Sequence, residues 1–240
     1  MPDFKDVKLL GFDVFGTVVD WRGSVARHVD KVFSSQGIVL DPYKFASDWR
    51  SLYQPAMERV RTGERSWVPL DVLNLENLKV TLAYSGVDAT RFTAQGLNDL
   101  NKAWERLAPW PDSVAAIDRL KRKFAVGTIS NGHVAGMLWL SKFAELHWDV
   151  ILGAETAKNY KPRPEVYFRS AESAGLSIEE TAMVAAHNDD LEAARGCGMK
   201  TVFVRRPTEH GPDQTTDLVA DDECDIAVKD LAELADVLEC

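Results

Sequence analysis

The run Leu9-Leu10-Gly11-Phe12-Asp13-Val14-Phe15-Gly16-Thr17 carries an apolar stretch straight into an acid, and Gly16-Thr17 breaks it just afterwards. An apolar run free of turn residues reads as a strand buried on both faces, the setting of a parallel sheet. Asp13 then stands at the carboxyl end of a strand, where open α/β sheets keep their ligand crevices. The plainer reading is an acid that caps the next turn. This stretch alone leaves both readings open.

From Trp21 to Leu107 the patterning is helical. Phe45, Trp49, Leu52, Ala56 and Val60 share one face of a helix expected from near Pro42 to Gly63. Leu75, Leu78 and Leu82 stripe a second, ended near Gly86, and Thr90 to Leu107 reads as a third. From Trp110 onward strands and helices alternate. Strands are expected at 124–129, 150–152, 183–186 and 201–204, with helices through Val114–Leu120, His133–Phe143, Pro164–Ala174 and Leu231–Leu238. Pro164 suits a first helical turn and Gly175 a helix stop. Repeated β-α units imply an α/β fold: a Rossmann-like parallel sheet with helices on both faces, joined by the first strand. The expected division is a core of 1–20 and 108–240 with a helical cap inserted at 21–107. The acidic stretch Asp217–Asp225 reads as a solvated loop.

With 240 residues, 45% of them apolar, the chain can bury a large core. A net charge of -9 offers no basic excess to neutralise phosphates, so nucleic acid is not an expected partner. Cys197, Cys224 and Cys240 are odd in number and without paired spacing, which suits a reducing cytoplasm and neither a disulfide framework nor a zinc site. Met1-Pro2-Asp3-Phe4-Lys5-Asp6 lacks the basic start and apolar core of a signal peptide, and no stretch approaches a membrane span.

Placed on this sheet, the strand ends collect polar groups: Asp13 and Thr17, then Ser130-Asn131-Gly132, Lys161-Pro162 and His187-Asn188-Asp189-Asp190. Each has a plain reading as a cap or a surface charge. Their joint occurrence at the ends of successive strands points to a single crevice.

These four segments, with Ala193-Ala194 after the last, resemble the motifs of the haloacid dehalogenase superfamily, and within it the type II L-2-haloacid dehalogenases. The resemblance runs through the core and reaches Trp49-Arg50 in the helical segment. It implies a hydrolase acting on carbon–halide bonds, of the (S)-2-haloacid dehalogenase type, with a small 2-haloacid as substrate and no cofactor or metal. Asp13 would be the nucleophile, oriented by Thr17. Lys161 would neutralise the charge around it and keep it ionised. Asp190 would pair with Lys161 and help position or deprotonate the hydrolytic water, with Tyr167 supporting the site. Arg50 would hold the halide or the carboxylate end, Asn131 would contribute to the halide site, Ser130 would bind the substrate carboxylate, and Phe15 and Trp67 would wall the pocket. Such relatives are often homodimers.

The branch has a physical basis. Phosphatases of the superfamily carry a second aspartate where this chain has Phe15, which cannot protonate an alkoxide. They also carry a metal-holding aspartate after the fourth strand, where the register set by Asp190 gives Ala185-Ala186-His187. A phosphoester hydrolase is the alternative within enzymes, and a catalytically idle ligand-binding relative the alternative outside them. The type II pattern itself is altered: a serine becomes Ala185, an asparagine His187 and an aromatic Asp189. The expected consequence is a tighter leaving-group pocket that admits fluoride, as in fluoroacetate. His187 would donate to a small halide, act as base toward the ester, or be a core histidine satisfied by backbone.

Overall fold

Leu9, Leu10 and Phe12 are fully buried, and a strand so enclosed is paired on both edges. In the computed structural model, which describes residues 4–240, this strand is β1 (Leu9–Phe12), followed by the short β2 (Val19–Asp20). Helices α1 (Trp21–Ser35), α2 (Pro42–Ser51), α3 (Tyr53–Arg61), α4 (Leu70–Tyr84) and α5 (Ala94–Asn101) come next. The chain returns through β3 (Ala108–Pro109), antiparallel to β2. It continues as α6 (Ser113–Leu120), β4 (Ala125–Ser130), α7 (Val134–Ala144), β5 (Val150–Gly153), α8 (Ala154–Ala157) and α9 (Pro164–Ser173). Then come β6 (Thr181–Ala185), α10 (Asn188–Gly196), β7 (Lys200–Val204), β8 (Ile226–Val228) and α11 (Leu231–Val237). Of the amino-terminal residues read above, Met1, Pro2 and Asp3 lie outside the described residues.

The expected parallel sheet is present, in the order β5-β4-β1-β6-β7-β8. The order reverses at β1, so the crevice past its carboxyl end is a topological switch point. Phe12 lies opposite Thr128 of β4 and Val184 of β6. That register brings the residues following all three strands to one rim.

Two helices differ from expectation. The helix read from Pro42 to Gly63 breaks at Leu52 into α2 and α3. Pro55 explains the break: inside a continuous helix its ring would strike the carbonyl of Ser51 and leave that carbonyl without a donor. The helix read over Thr90–Leu107 is a 3-10 turn at Ala89–Arg91, then α5, then a second 3-10 turn at Lys102–Glu105. Thr93 starts α5 afresh, its hydroxyl accepting from Gly96 N at 3.0 Å. β8 emerges just after the acidic stretch read as a loop, too short to show alternation.

An aromatic cluster joins the helices to the sheet rim. Trp21 stacks on Trp104 at 6.1 Å, and Trp49 and Phe15 meet Trp104 edge-on at 5.5 and 6.1 Å. Trp49 donates its Nε1 to Asn74 O at 2.9 Å, which satisfies its one polar atom inside the core. All three cysteines are free thiols, with Cys197 half-buried at the end of α10. No helix among the described residues is long and apolar enough to cross a membrane.

Candidate active site

Asp13 follows β1 directly, its N–H donating to Val184 O at 2.9 Å, and its side chain lies at the sheet rim with the residue 7% exposed. Lys161 Nζ donates to Asp13 Oδ1 at 3.0 Å and to Asp190 Oδ2 at 2.5 Å. Thr17 Oγ1 donates to Asp13 Oδ2 at 3.0 Å. The direction of that bond is fixed, because the same hydroxyl already accepts from Ala186 N at 2.9 Å. Tyr167 Oη donates to Asp190 Oδ1 at 2.6 Å. The expected grouping of Asp13, Thr17, Lys161, Tyr167 and Asp190 is thus a connected, buried network.

The loops that carry these groups are held by their backbones. Lys161 N donates to Asn131 Oδ1 at 2.8 Å, and Lys161 O accepts from Arg61 Nη1 of α3 at 2.7 Å. The Thr17 turn is fixed by buried Arg206, whose Nε donates to Thr17 O at 2.9 Å. The guanidinium of Arg206 also grips Asp112 with a fork at 2.8 and 2.7 Å.

One ammonium serves two carboxylates, and this sets the charge state. Burial alone would raise the Asp13 pKa, but the Lys161 charge and the bonds from His187 and Lys161 hold it well below the usual carboxylate range. Burial likewise opposes the charge on Lys161, yet Asp13 and Asp190 raise its pKa above the ordinary lysine value. Asp190 is pushed up, by burial first and by the neighbouring Asp13 charge, against the pull of Lys161. Burial and the Asp190 charge raise the Tyr167 phenol, so it stays a donor.

His187 lies on the other side of Asp13, its Nδ1 3.4 Å from Oδ2. Its Nε2 is 2.9 Å from Oε2 of Glu209, a residue only 1% exposed. Burial opposes charge on the ring, but the Glu209 charge and the bonds to Asp13 and Glu209 raise the His187 pKa well above the ordinary value. Glu209 is correspondingly lowered by His187 against the effect of burial. Both ring nitrogens face carboxylates, so His187 is not a core histidine satisfied by backbone. Glu209 is the residue that sequence reasoning missed. It lies in the long connection between β7 and β8, where no periodicity marks it.

A cavity of about 560 Å³ opens onto these groups, walled by Asp13, Phe15, Arg50, Asn131, Lys161 and His187 among others. Asp13 enters it from the sheet and Arg50 from α2. The Arg50 guanidinium lies 3.8 Å over the Tyr53 ring and 5.4 and 5.9 Å from those of Trp21 and Phe15. Its Nη1 is buried with no partner. An unpartnered buried donor on a fixed cation is a ready anion site. Asp189, which replaces an aromatic, also lines the cavity.

Trp67, expected on the pocket wall, and Ser130, expected at the substrate carboxylate, are not among the residues that line the cavity. Trp67 packs its ring against Tyr160 at 4.9 Å, because the connection from α3 to α4 turns it away from the cavity. Ser130 is fully buried at the end of β4, its Oγ accepting from Gly132 N at 3.1 Å, and shapes the turn that presents Asn131.

Magnesium, used by phosphatases of this fold, does not fit these residues. It needs hard oxygen ligands, whereas the metal-holding position carries the methyl of Ala186, and the Lys161 ammonium already bridges Asp13 and Asp190. Ligand atoms of His187, Glu209 and His210 gather within 4.8 Å of one another. Both Glu209 oxygens are engaged, Oε2 by His187 and Oε1 by Trp21 Nε1 at 2.9 Å, so the group is a hydrogen-bonded pair in place of a metal centre.

These groups make up a buried carboxylate at a switch point, paired with a lysine and opening onto a cavity. Residues 7–198 match the family of haloacid dehalogenase-like hydrolases, and the chain belongs to that family. A solved structure of a defluorinating L-2-haloacid dehalogenase is 42% identical and superposes with a TM-score of 0.96, covering 98% of this chain and 96% of that one. The (S)-2-haloacid dehalogenase 4A of Burkholderia cepacia is 27% identical over 199 residues, 81% of each chain. A phosphoglycolate phosphatase of Aliivibrio fischeri is 24% identical over 226 residues, 91% of this chain and 94% of its own.

Proposed function

We propose that the protein hydrolyses the carbon–halogen bond of small 2-haloacids to give 2-hydroxyacids, through an ester on Asp13 and without a metal. The observation that carries this reading is the pairing in one cavity of an ionised Asp13, held by Lys161, with the unpartnered Nη1 of Arg50. A carboxylate oxygen of Asp13 attacks Cα, and the C–X bond breaks with its electron pair leaving on the halide. Water then cleaves the ester. Thr17 orients the nucleophile, and Lys161 compensates the charge that moves along it. Asp190 and Tyr167 hold Lys161 in place. Arg50 and Asn131 receive the halide, and Phe15 excludes bulk water. Residues 21–107 act as the cap that closes the cavity over the sheet. Phe15 and Ala186 argue against a phosphoester substrate, since neither a proton donor nor a metal ligand stands where such chemistry needs one.

The similarity to a defluorinating relative supports fluoroacetate among the substrates. The test is halide release from fluoroacetate, chloroacetate and each enantiomer of 2-chloropropionate with EDTA present. Release undiminished by EDTA is expected. Phosphate release from generic esters only with added magnesium would overturn the reading. Fluoride is small and strongly hydrated, so its departure depends on donors. Arg50→Met is therefore expected to slow first-turnover fluoride release about tenfold more than chloride release, measured by rapid quench. Equal slowing would remove Arg50 from the halide side. A homodimer would cover the exposed apolar residues Leu138, Trp139 and Phe143 of α7, which analytical ultracentrifugation checks. The same reading places the protein in a reducing cytoplasm, where its thiols stay free; loss of activity under reducing conditions would contradict it.

A further inference from the structure

We propose that His187 and Glu209 form the acid–base pair that hydrolyses the Asp13 ester, with His187 as the catalytic base and Glu209 as its positioning residue. The inference rests on the dehalogenase reading and assigns its second half-reaction.

The hydrogen-bond inventory fixes the tautomer. Glu209 as a carboxylate accepts and cannot donate, so the contact of 2.9 Å to His187 Nε2 puts a proton on that nitrogen. When the ring is neutral, its lone pair is on Nδ1, the atom 3.4 Å from Asp13 Oδ2. That atom faces the oxygen of Asp13 that Lys161 does not bind, since Lys161 holds Oδ1.

Asp190 stands on the Lys161 side, its Oδ2 accepting from Lys161 and its Oδ1 from Tyr167, whereas His187 faces the other Asp13 oxygen. His187 does not suit the halide. In-line displacement puts the leaving group on the far side of Cα from the Asp13 oxygens, whereas His187 stands beside them.

Glu209 is held for this purpose from two directions. Trp21 of α1 donates Nε1 to its Oε1 at 2.9 Å. Gly16, at φ +93, closes the other side, and a Cβ there would come within 2.0 Å of Oε1. A glycine directly after the phenylalanine of the first motif thus leaves room for the carboxylate that orients the histidine.

The proton balance closes. In the resting enzyme the ring is an imidazolium between two carboxylates. Alkylation converts Asp13 into a neutral ester and removes one of those anions, and His187 releases its proton to solvent as the halide departs. Water then attacks Cγ of the ester and gives a proton to Nδ1. The Cγ–O ester bond breaks with its electron pair going to the product oxygen, which takes that proton. The new Asp13 carboxylic acid ionises, and its proton restores the imidazolium.

The test is rapid mixing of wild type, Glu209→Gln and His187→Asn with chloroacetate, following chloride and intact protein mass. Both variants are expected to release chloride in the first turnover near the wild-type rate. They should then accumulate protein carrying one carboxymethyl group, whose ester decays on the order of 100-fold more slowly. The first-turnover chloride shows that each variant is folded. Ester decay at the wild-type rate, or loss of first-turnover chloride in Glu209→Gln, would overturn the pair. Absence of chloride from wild type as well would overturn instead the dehalogenase reading beneath it.

Discussion

Asp13→Asn is expected to lower halide release from every 2-haloacid on the order of 10⁴-fold or more, while the protein stays folded. The amide has nearly the shape of the carboxylate, and its single oxygen can still accept from one of the two donors, Thr17 or Lys161, that face the Asp13 oxygens at 3.0 Å. What it lacks is an anionic lone pair able to displace halide from carbon. Halide release checks the first claim and thermal unfolding the second. Activity retained within tenfold would show that water attacks carbon directly.

Lys161→Met is expected to lose both activity and about 3–5 kcal/mol of stability. Asp13 and Asp190 are each 7% exposed, and Lys161 Nζ donates to both. Removing the cation leaves two buried carboxyls with burial and mutual repulsion acting on them, and both effects raise a pKa. The pH dependence follows in sign. In the wild type the lowered Asp13 pKa contributes stability that is present above the unfolded pKa and lost as pH falls through the folded one. In the variant the raised carboxyls contribute stability only while protonated, and lose it as pH rises through their folded values. Urea denaturation at mildly acidic and mildly alkaline pH should therefore find the variant weaker at the higher pH. A variant as stable as wild type at both would mean that Lys161 does not neutralise the pair.

The core of the fold was legible because a buried parallel strand needs an unbroken apolar run, and β1, β4, β6 and β7 each supply one. Their ends were legible for the same reason: a polar group directly after such a run has only the sheet rim to occupy, which placed Asp13 and Asn131, with Asp190 a little further on in the first turn of α10. Pro55 carried the break between α2 and α3, but the apolar stripe from Phe45 to Val60 continues in phase across it and masks it. Trp67 was read toward the pocket because spacing places an aromatic on a face without saying what the face meets. Glu209 is reached only when the chain comes back from β7, and no local pattern records that return. The three readings of His187 are separated only by the two carboxylates on its ring, which the fold brings from distant segments of the chain.

The central claim is that Asp13 carries the substrate as an ester before water reaches it. Single-turnover reaction with chloroacetate in heavy-oxygen water tests it most directly. Attack at Cγ places the solvent oxygen in the Asp13 carboxylate, so the first-turnover product should be unlabelled and the peptide containing Asp13 heavier. Label in the first-turnover product with none in that peptide would contradict the account.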